Sequence, residues 1–135
     1  MTKKIFKSIL LVALVTFLAC FVLVMGFLYG YYNTTQEEQL QVQLSLAAEG
    51  TEQTGLEYLE NVSDNGSRFT WIDKDGTVIY DSKTDASTME NHADRQEIKQ
   101  AMEEGYGKSS RYSSTLTEQT VYFAKQLTAG TLLRV

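Results

Sequence analysis

Cysteine and histidine occur once each in this 135-residue chain, and proline not at all. The lone Cys20 excludes an intrachain disulfide and a zinc site of the usual cysteine-based kind. No nucleophile motif, phosphate-cradling loop or dinucleotide fingerprint is present, so the chain shows no recognisable catalytic machinery. Basic residues are scarce where nucleic acid would need them. Residues 33–135 hold all 17 acidic side chains but only nine of the twelve basic ones, a balance of −8. Phosphate neutralisation needs clustered Lys and Arg, and this composition argues against it. Between Ser8 and Gln36, finally, there is no charged side chain at all.

That uncharged stretch is mostly Ile, Leu, Val, Phe, Ala and Tyr. Ile9 to Tyr29 supplies about 21 nearly continuous apolar residues, roughly 30 Å as a helix and enough to cross a bilayer core. Lys3, Lys4 and Lys7 precede it, whereas Glu37 and Glu38 are the first charges after it. Positive residues stay on the cytoplasmic side, so the N-terminus is expected inside the plasma membrane and everything from about Asn33 outside. Tyr29, Tyr31 and Tyr32 fit an aromatic belt at the outer interface. A cleaved signal peptide has a shorter apolar core followed by small residues, a pattern that Tyr29-Gly30-Tyr31-Tyr32-Asn33 does not offer. Phe17-Leu18-Ala19-Cys20 faintly resembles a lipoprotein box, yet Phe21 to Leu28 stay apolar where a lipoprotein turns polar. Cys20 reads as a small hydrophobe inside the bilayer. A pilin-like helix would carry a Glu within the apolar stretch, and none is there. The reading is a signal-anchor, with residues 1–8 cytoplasmic and 9–32 spanning.

Residues 33–66 read as a membrane-proximal helical segment. Leu40, Leu44 and Ala47/Ala48 recur at helical spacing in a Gln/Glu-rich stretch, with Val42 and Leu46 beside them. Gly50 and Gly55 weaken that helix, and Leu56, Leu59 and Val62 suggest a shorter piece before a polar turn, Ser63-Asp64-Asn65-Gly66. A solvated stalk and a signal-carrying helix at a dimer interface both fit the pattern.

From 67 to 135 the texture is strand and turn. Arg68–Asp73 and Thr77–Asp81 alternate on either side of Lys74-Asp75-Gly76, and Asp-Gly in that setting predicts a hairpin with a primed turn. Ser82–Ala93 reads as a loop. Ile98, Ala101 and Met102 share one face of a short helix ending near Gly105, with Asp94 and Glu97 at capping-box-like spacing. Gly107–Thr115 and Thr120–Leu127 read as strands joined by Leu116-Thr117-Glu118-Gln119, and Thr131–Val135 begins a fifth after the turn Thr128-Ala129-Gly130. The chain stops in mid-strand, so it is expected to be the front of a longer protein. The predicted core is Phe69, Trp71, Val78, Tyr80, Ile98, Met102, Tyr122 and Leu133.

Helix, two strands, short helix and three strands make an α+β domain. If the connection from the second strand to the third passes over one face, the first and fifth strands can become central neighbours. The expected sheet is then five-stranded and antiparallel, of order 2-1-5-4-3. The first helix then covers one face, and the connection closes a pocket on the other.

Specific runs carry a resemblance. Arg68-Phe69-Thr70-Trp71-Ile72-Asp73-Lys74-Asp75-Gly76-Thr77-Val78-Ile79-Tyr80-Asp81-Ser82 resembles a recurrent pattern in bacterial sensor histidine kinases of the phosphate-regulon type. So do Met89-Glu90-Asn91-His92-Ala93-Asp94-Arg95-Gln96-Glu97-Ile98 and Arg111-Tyr112-Ser113-Ser114-Thr115. Val121-Tyr122-Phe123-Ala124 and Gly130–Val135 resemble the closing strands of their extracytoplasmic domains. Relatives commonly carry Pro where this chain has Gln96, a departure that softens the start of the short helix. The resemblance implies a PAS-like (Cache-type) sensor domain in a homodimer, responding to an unidentified small-molecule or protein stimulus. It also implies a cytoplasmic kinase and a response regulator beyond this sequence, so that this part catalyses nothing. The sensor of a chemoreceptor or cyclic-dinucleotide enzyme, and a standalone membrane-anchored surface protein, are the alternatives.

Candidate sites are few. Asp73-Lys74-Asp75-Gly76 begins like a calcium loop, but Thr84 stands where the closing Glu should be, and a plain turn is the better reading. His92 could report pH or contact a ligand, or it could fix its loop by bonding backbone; with only Glu90 and Asp94 nearby, no metal is expected. Arg68, Arg95 and Arg111 suit a carboxylate or phosphate anion, but with internal carboxylates such as Asp81, Asp94 and Glu97 available, a structural salt bridge is the expected role of each. Asn91 and His92 are short enough to bond loop backbone, and Arg95 is long enough to reach Asp81 or an anion. Asn91, His92 and Arg95 are therefore expected to order the connection between the second and third strands, with ligand contact the lesser role. No cofactor and no catalytic residue is expected.

Overall fold

The computed structural model describes residues 1–62, 66–113 and 118–135. The turn expected at Ser63-Asp64-Asn65-Gly66 and the junction Leu116-Thr117-Glu118-Gln119 lie largely outside the described residues. Two compact units are present, residues 1–37 and 38–135.

The first unit is helical throughout, part of α1 (Thr2–Thr54). Every side chain from Met1 to Thr34 is exposed, and the helix is long and apolar enough to cross a membrane. Within the apolar stretch the Thr16 hydroxyl donates back to the carbonyls of Val12 and Ala13, both at 2.9 Å. A polar group satisfied inside its own helix costs little in an apolar medium.

In the second unit α1 does not fade at Gly50 as the glycine content suggests. It continues to Thr54, and Gly50 lies against the ring of Tyr58, where a Cβ would collide. The break comes at Gly55, whose φ of +67° turns the chain into α2 (Leu56–Val62). Leu44, Ala47 and Ala48 of α1 and Leu59 of α2 are buried against Phe69, Phe123, Leu127, Leu133 and Val135 on one face of a sheet.

That sheet comprises β1 (Thr70–Ile72), β2 (Val78–Asp81), β3 (Tyr106–Ser113), β4 (Glu118–Gln126) and β5 (Leu132–Arg134), with α3 (Gln96–Glu104) between β2 and β3. The order is β2-β1-β5-β4-β3 and every pairing is antiparallel, the α+β arrangement read from the sequence. The second face packs Ile72, Val78, Ala124 and Leu132 against Ile98 and Ala101 of α3. Burial on both faces explains where the predicted core departs from the structure. Phe69, Val78, Ile98 and Leu133 are buried, whereas Trp71, Tyr80, Met102 and Tyr122 are half-buried. The positions between them, Ile72, Phe123, Ala124 and Leu132, are fully enclosed.

Three local corrections matter for the site. The β1–β2 turn is a three-residue loop closed by Gly76 at φ +88°, not a two-residue primed turn. Its bonds run from Gly76 N–H to the Asp73 carbonyl at 2.9 Å and from Asp73 N–H to the Thr77 carbonyl at 2.8 Å. The capping box at the start of α3 does not form. Arg95 occupies the N-cap without a side-chain bond, Asp94 pairs outward with Lys99 at 3.1 Å, and Glu97 turns inward. Gly107 of β3 admits this arrangement, because a Cβ there would strike the Glu97 carbonyl.

Candidate functional site

On the α3 face of the sheet, one row carries charge in place of apolar side chains. Thr70 pairs with Asp81 of β2 on one side and with Arg134 of β5 on the other. Its hydroxyl donates to Asp81 Oδ2 at 2.8 Å and accepts from Arg134 Nη2 at 3.2 Å. Asp81 also accepts from Arg68 Nε at 3.0 and 3.1 Å, and from the backbone N–H groups of Lys83 and Thr84 at 2.9 Å each. Burial pushes this carboxyl up, but the bonds from Arg68, Lys83 and Thr70 outweigh it and hold its pKa below the ordinary value.

Glu97 hangs from α3 over the same row and is fully buried. It accepts from Ser109 Oγ at 2.6 Å, from Arg111 Nη2 at 2.8 and 3.0 Å, and from Arg134 Nη1 at 3.3 Å. Burial again raises its pKa, and Ser109, its own backbone N–H, Arg111 and Arg134 together bring it below the ordinary value. Arg134, itself buried, thus ties α3 to the sheet centre through Glu97 on one side and Thr70 on the other. Arg111 and Arg134 also stand over the Tyr122 ring, 4.9 and 5.2 Å from its centroid.

The β2–β3 connection borders this layer. It is seated on the β1–β2 turn by short polar groups. Asn91 Nδ2 donates to the Asp75 carbonyl at 3.0 Å, Asn91 Oδ1 accepts from Ala93 N–H at 2.8 Å, and His92 N–H donates to the Gly76 carbonyl at 2.8 Å. His92 is 4% exposed and its ring Nδ1 bonds the Glu90 carbonyl at 2.7 Å. A carbonyl only accepts, so Nδ1 carries the proton and Nε2 a lone pair. Burial lowers the imidazole pKa, the Glu90 bond opposes this, and the nearby Arg134 and Arg95 cations lower it further.

Between these parts lies a solvent-open cavity of about 360 Å³. Arg68, Arg95, Arg111 and Arg134 line it together with His92, Met89, Glu90 and Tyr122. The structure therefore gathers Arg68, Arg95, Arg111 and His92 at one place. Asp81 lies beneath Arg68, and Asn91 serves the neighbouring turn. Arg95 departs from its expected part: its backbone joins the loop to α3, but its guanidinium does not reach Asp81, which Arg68 occupies. Among the described residues that guanidinium has no partner. Sequence reasoning missed Arg134; it offered Glu97 as a salt-bridge partner, which Arg111 bears out, but not its full burial. The signal for Arg134 was a charge within the apolar run Thr131-Leu132-Leu133-Arg134-Val135, where a central strand requires a paired ion.

What the arrangement offers chemically is directed donors. Asp81 and Glu97 answer part of the cationic charge from below, and the remainder faces the cavity. Among the described residues no cluster of His, Cys, Asp and Glu is placed to hold a metal ion. Compared with protein-family models and with curated proteins, the chain matches none.

Proposed function

We propose that this chain is the extracytoplasmic input module of a membrane-bound sensor histidine kinase: a PAS-like, Cache-type domain held by an N-terminal signal-anchor and working as a homodimer. The observation that carries the reading is the position of the cationic cavity. It lies under the β2–β3 connection and against β5, and β5 is where the two faces of the sheet communicate. Arg134 of β5 faces the cavity, while its neighbours Leu133 and Val135 belong to the core formed with Leu44, Ala47 and Ala48 of α1. A stimulus that repositions Arg134 therefore bears on α1 through directly packed side chains. The same helix contains the apolar stretch that crosses the membrane, and Val42 and Leu46, each 58% exposed, give its outward face an apolar edge for a second copy. Two arrangements of the paired helices, biased by the stimulus, form the output.

The test is the coding sequence beyond codon 135. A second apolar span followed by a phosphoacceptor His and nucleotide-binding boxes is the expected finding. A methyl-accepting or cyclic-dinucleotide domain in that place keeps the sensor and changes its output. An immediate stop codon overturns the relay and leaves a standalone surface protein.

A further inference from the structure

We propose that the arginine-lined cavity binds a compact oxyanion with two negative charges, a phosphate, sulfate or short dicarboxylate, held first by Arg95, with Nε2 of His92 accepting from an anion that retains a proton. This deepens the sensor reading above and rests on it for its biological consequence, while the binding itself stands on the geometry.

Charge provides the first argument. Four guanidinium groups line one cavity in a domain whose overall balance is strongly acidic. Arg68 is neutralised by Asp81, and Glu97 is shared between Arg111 and Arg134. Two buried carboxylates thus serve three arginines, and Arg95 has no carboxylate among the described residues. Glu90 also lines the cavity and is exposed, and the Arg68 and Arg111 side chains are 44% and 36% exposed, so water screens charge of both signs there. The cations still outnumber the carboxylates, and the surplus favours a multiply charged anion over chloride.

Uncommitted donors and acceptors provide the second. Among the described residues Arg68 uses Nε and Nη2, and Arg111 uses Nη2, so Nη1 of each has no partner there. Among the same residues Arg95 keeps its whole fork, the geometry that holds an oxyanion bidentately. His92 adds a neutral acceptor at the cavity wall: Nδ1–H is consumed by Glu90, and Nε2 has no partner among the described residues. An acceptor among cations is of no use to a fully deprotonated anion, but it suits an oxyanion that retains one proton. Hydrogen phosphate can donate to Nε2 while its other oxygens take the guanidinium groups.

Size provides the third. A cavity of about 360 Å³ is at the small end of ligand pockets. Apart from Met89, its walls are guanidinium, carboxylate, imidazole and the Tyr122 ring, so the ligand is recognised by charge.

The experiment uses the full chain in detergent micelles, titrated calorimetrically with sodium phosphate, sulfate and succinate, with sodium chloride at matched ionic strength as control. Saturable one-to-one binding of at least one dianion, absent for chloride and accompanied by a rise in Tm, is expected. Phosphate above sulfate identifies the bond to His92, and succinate above both assigns the site to carboxylates. Arg95→Ala is expected to weaken binding at least about tenfold, the loss of one charge-assisted contact, while the ligand-free Tm stays near wild type because the side chain supports nothing else. Arg95→Lys should recover part of the affinity. If none of the three dianions binds beyond chloride, or if Arg95→Ala binds as wild type does, the proposal is wrong. Anion binding with no effect on the output of the full-length protein would leave the site standing and overturn the sensor reading instead.

Discussion

Glu97 is the residue on which the charged layer depends. It is the shared counter-ion of Arg134 and Arg111, and it is wholly out of water. Removing one partner of a buried pair strands the other charge, and the penalty is about 3–5 kcal/mol. Glu97→Ala should therefore lower the unfolding free energy by about that much, measured by denaturant titration of the chain in micelles. Arg111→Ala should cost less, since Arg111 is partly exposed and Arg134 still serves Glu97. The same residues set the pH profile. Asp81 and Glu97 have folded pKa values below their ordinary ones, so the unfolded chain binds more protons in acid. Their contribution is complete above the ordinary values, 3.8 for Asp81 and 4.5 for Glu97, and is lost as the pH falls through the lowered folded ones. His92 is also depressed, from 6.5, because its buried neutral ring resists protonation beside Arg134 and Arg95. Its contribution is complete above pH 6.5 and declines below that. Stability measured against pH should thus fall in two stages on acidification, and His92→Gln should remove the upper one. A profile flat down to the carboxylate range would contradict the burial of His92.

At the scale of elements, the site is built by α3 lying close on β3. Gly107 makes the approach possible, since any Cβ at this position meets the Glu97 carbonyl. Gly107→Ala should push α3 outward, cost about 1–3 kcal/mol as overpacking does, and loosen the Glu97–Arg111 pair. Hydrogen exchange across 96–104 should accelerate in this variant, and unchanged exchange would show that the helix accommodates the methyl group. How much of this was legible in the sequence follows from the range of each signal. The alternation around Asp75-Gly76, the Ile98/Ala101 face and the strand count are local or periodic features, and they yielded the elements; the sheet order rested in addition on the connection between the second and third strands crossing one face, as in PAS-like domains. Gly50 was misread because its effect is tertiary: the ring of Tyr58 occupies the space a side chain would need. Glu97 was read as a cap because the spacing to Asp94 is local, while Ser109, Arg111 and Arg134, which draw it inward, are distant in sequence. The cationic cluster was half legible. Arg68, Arg95 and Arg111 stood out as cations in an acidic domain, whereas Arg134 was absorbed into an apolar strand.

The whole molecule divides into an apolar helical unit with every side chain exposed up to Thr34 and a packed, acidic α+β unit. An uninterrupted apolar surface of that length is unstable in water and stable in a bilayer. The proposed direction of insertion rests on charge. Under it, Lys3, Lys4 and Lys7 would stay on the cytoplasmic side and the acidic remainder would be exported, where its charge would also keep it away from anionic lipid headgroups. Thiol labelling in intact cells tests this. Cys20 is first replaced by Ala, which its exposed position on the apolar helix should tolerate. A cysteine is then introduced at Lys83, exposed on the sheet domain, or at Thr2. An impermeant maleimide should label Lys83→Cys in intact cells and Thr2→Cys only after permeabilisation. Labelling of both without permeabilisation would mean that the apolar helix does not span. The opposite pattern would place the cationic cavity in the cytoplasm. An extracellular oxyanion could not then be its ligand, and the relay would have to run the other way.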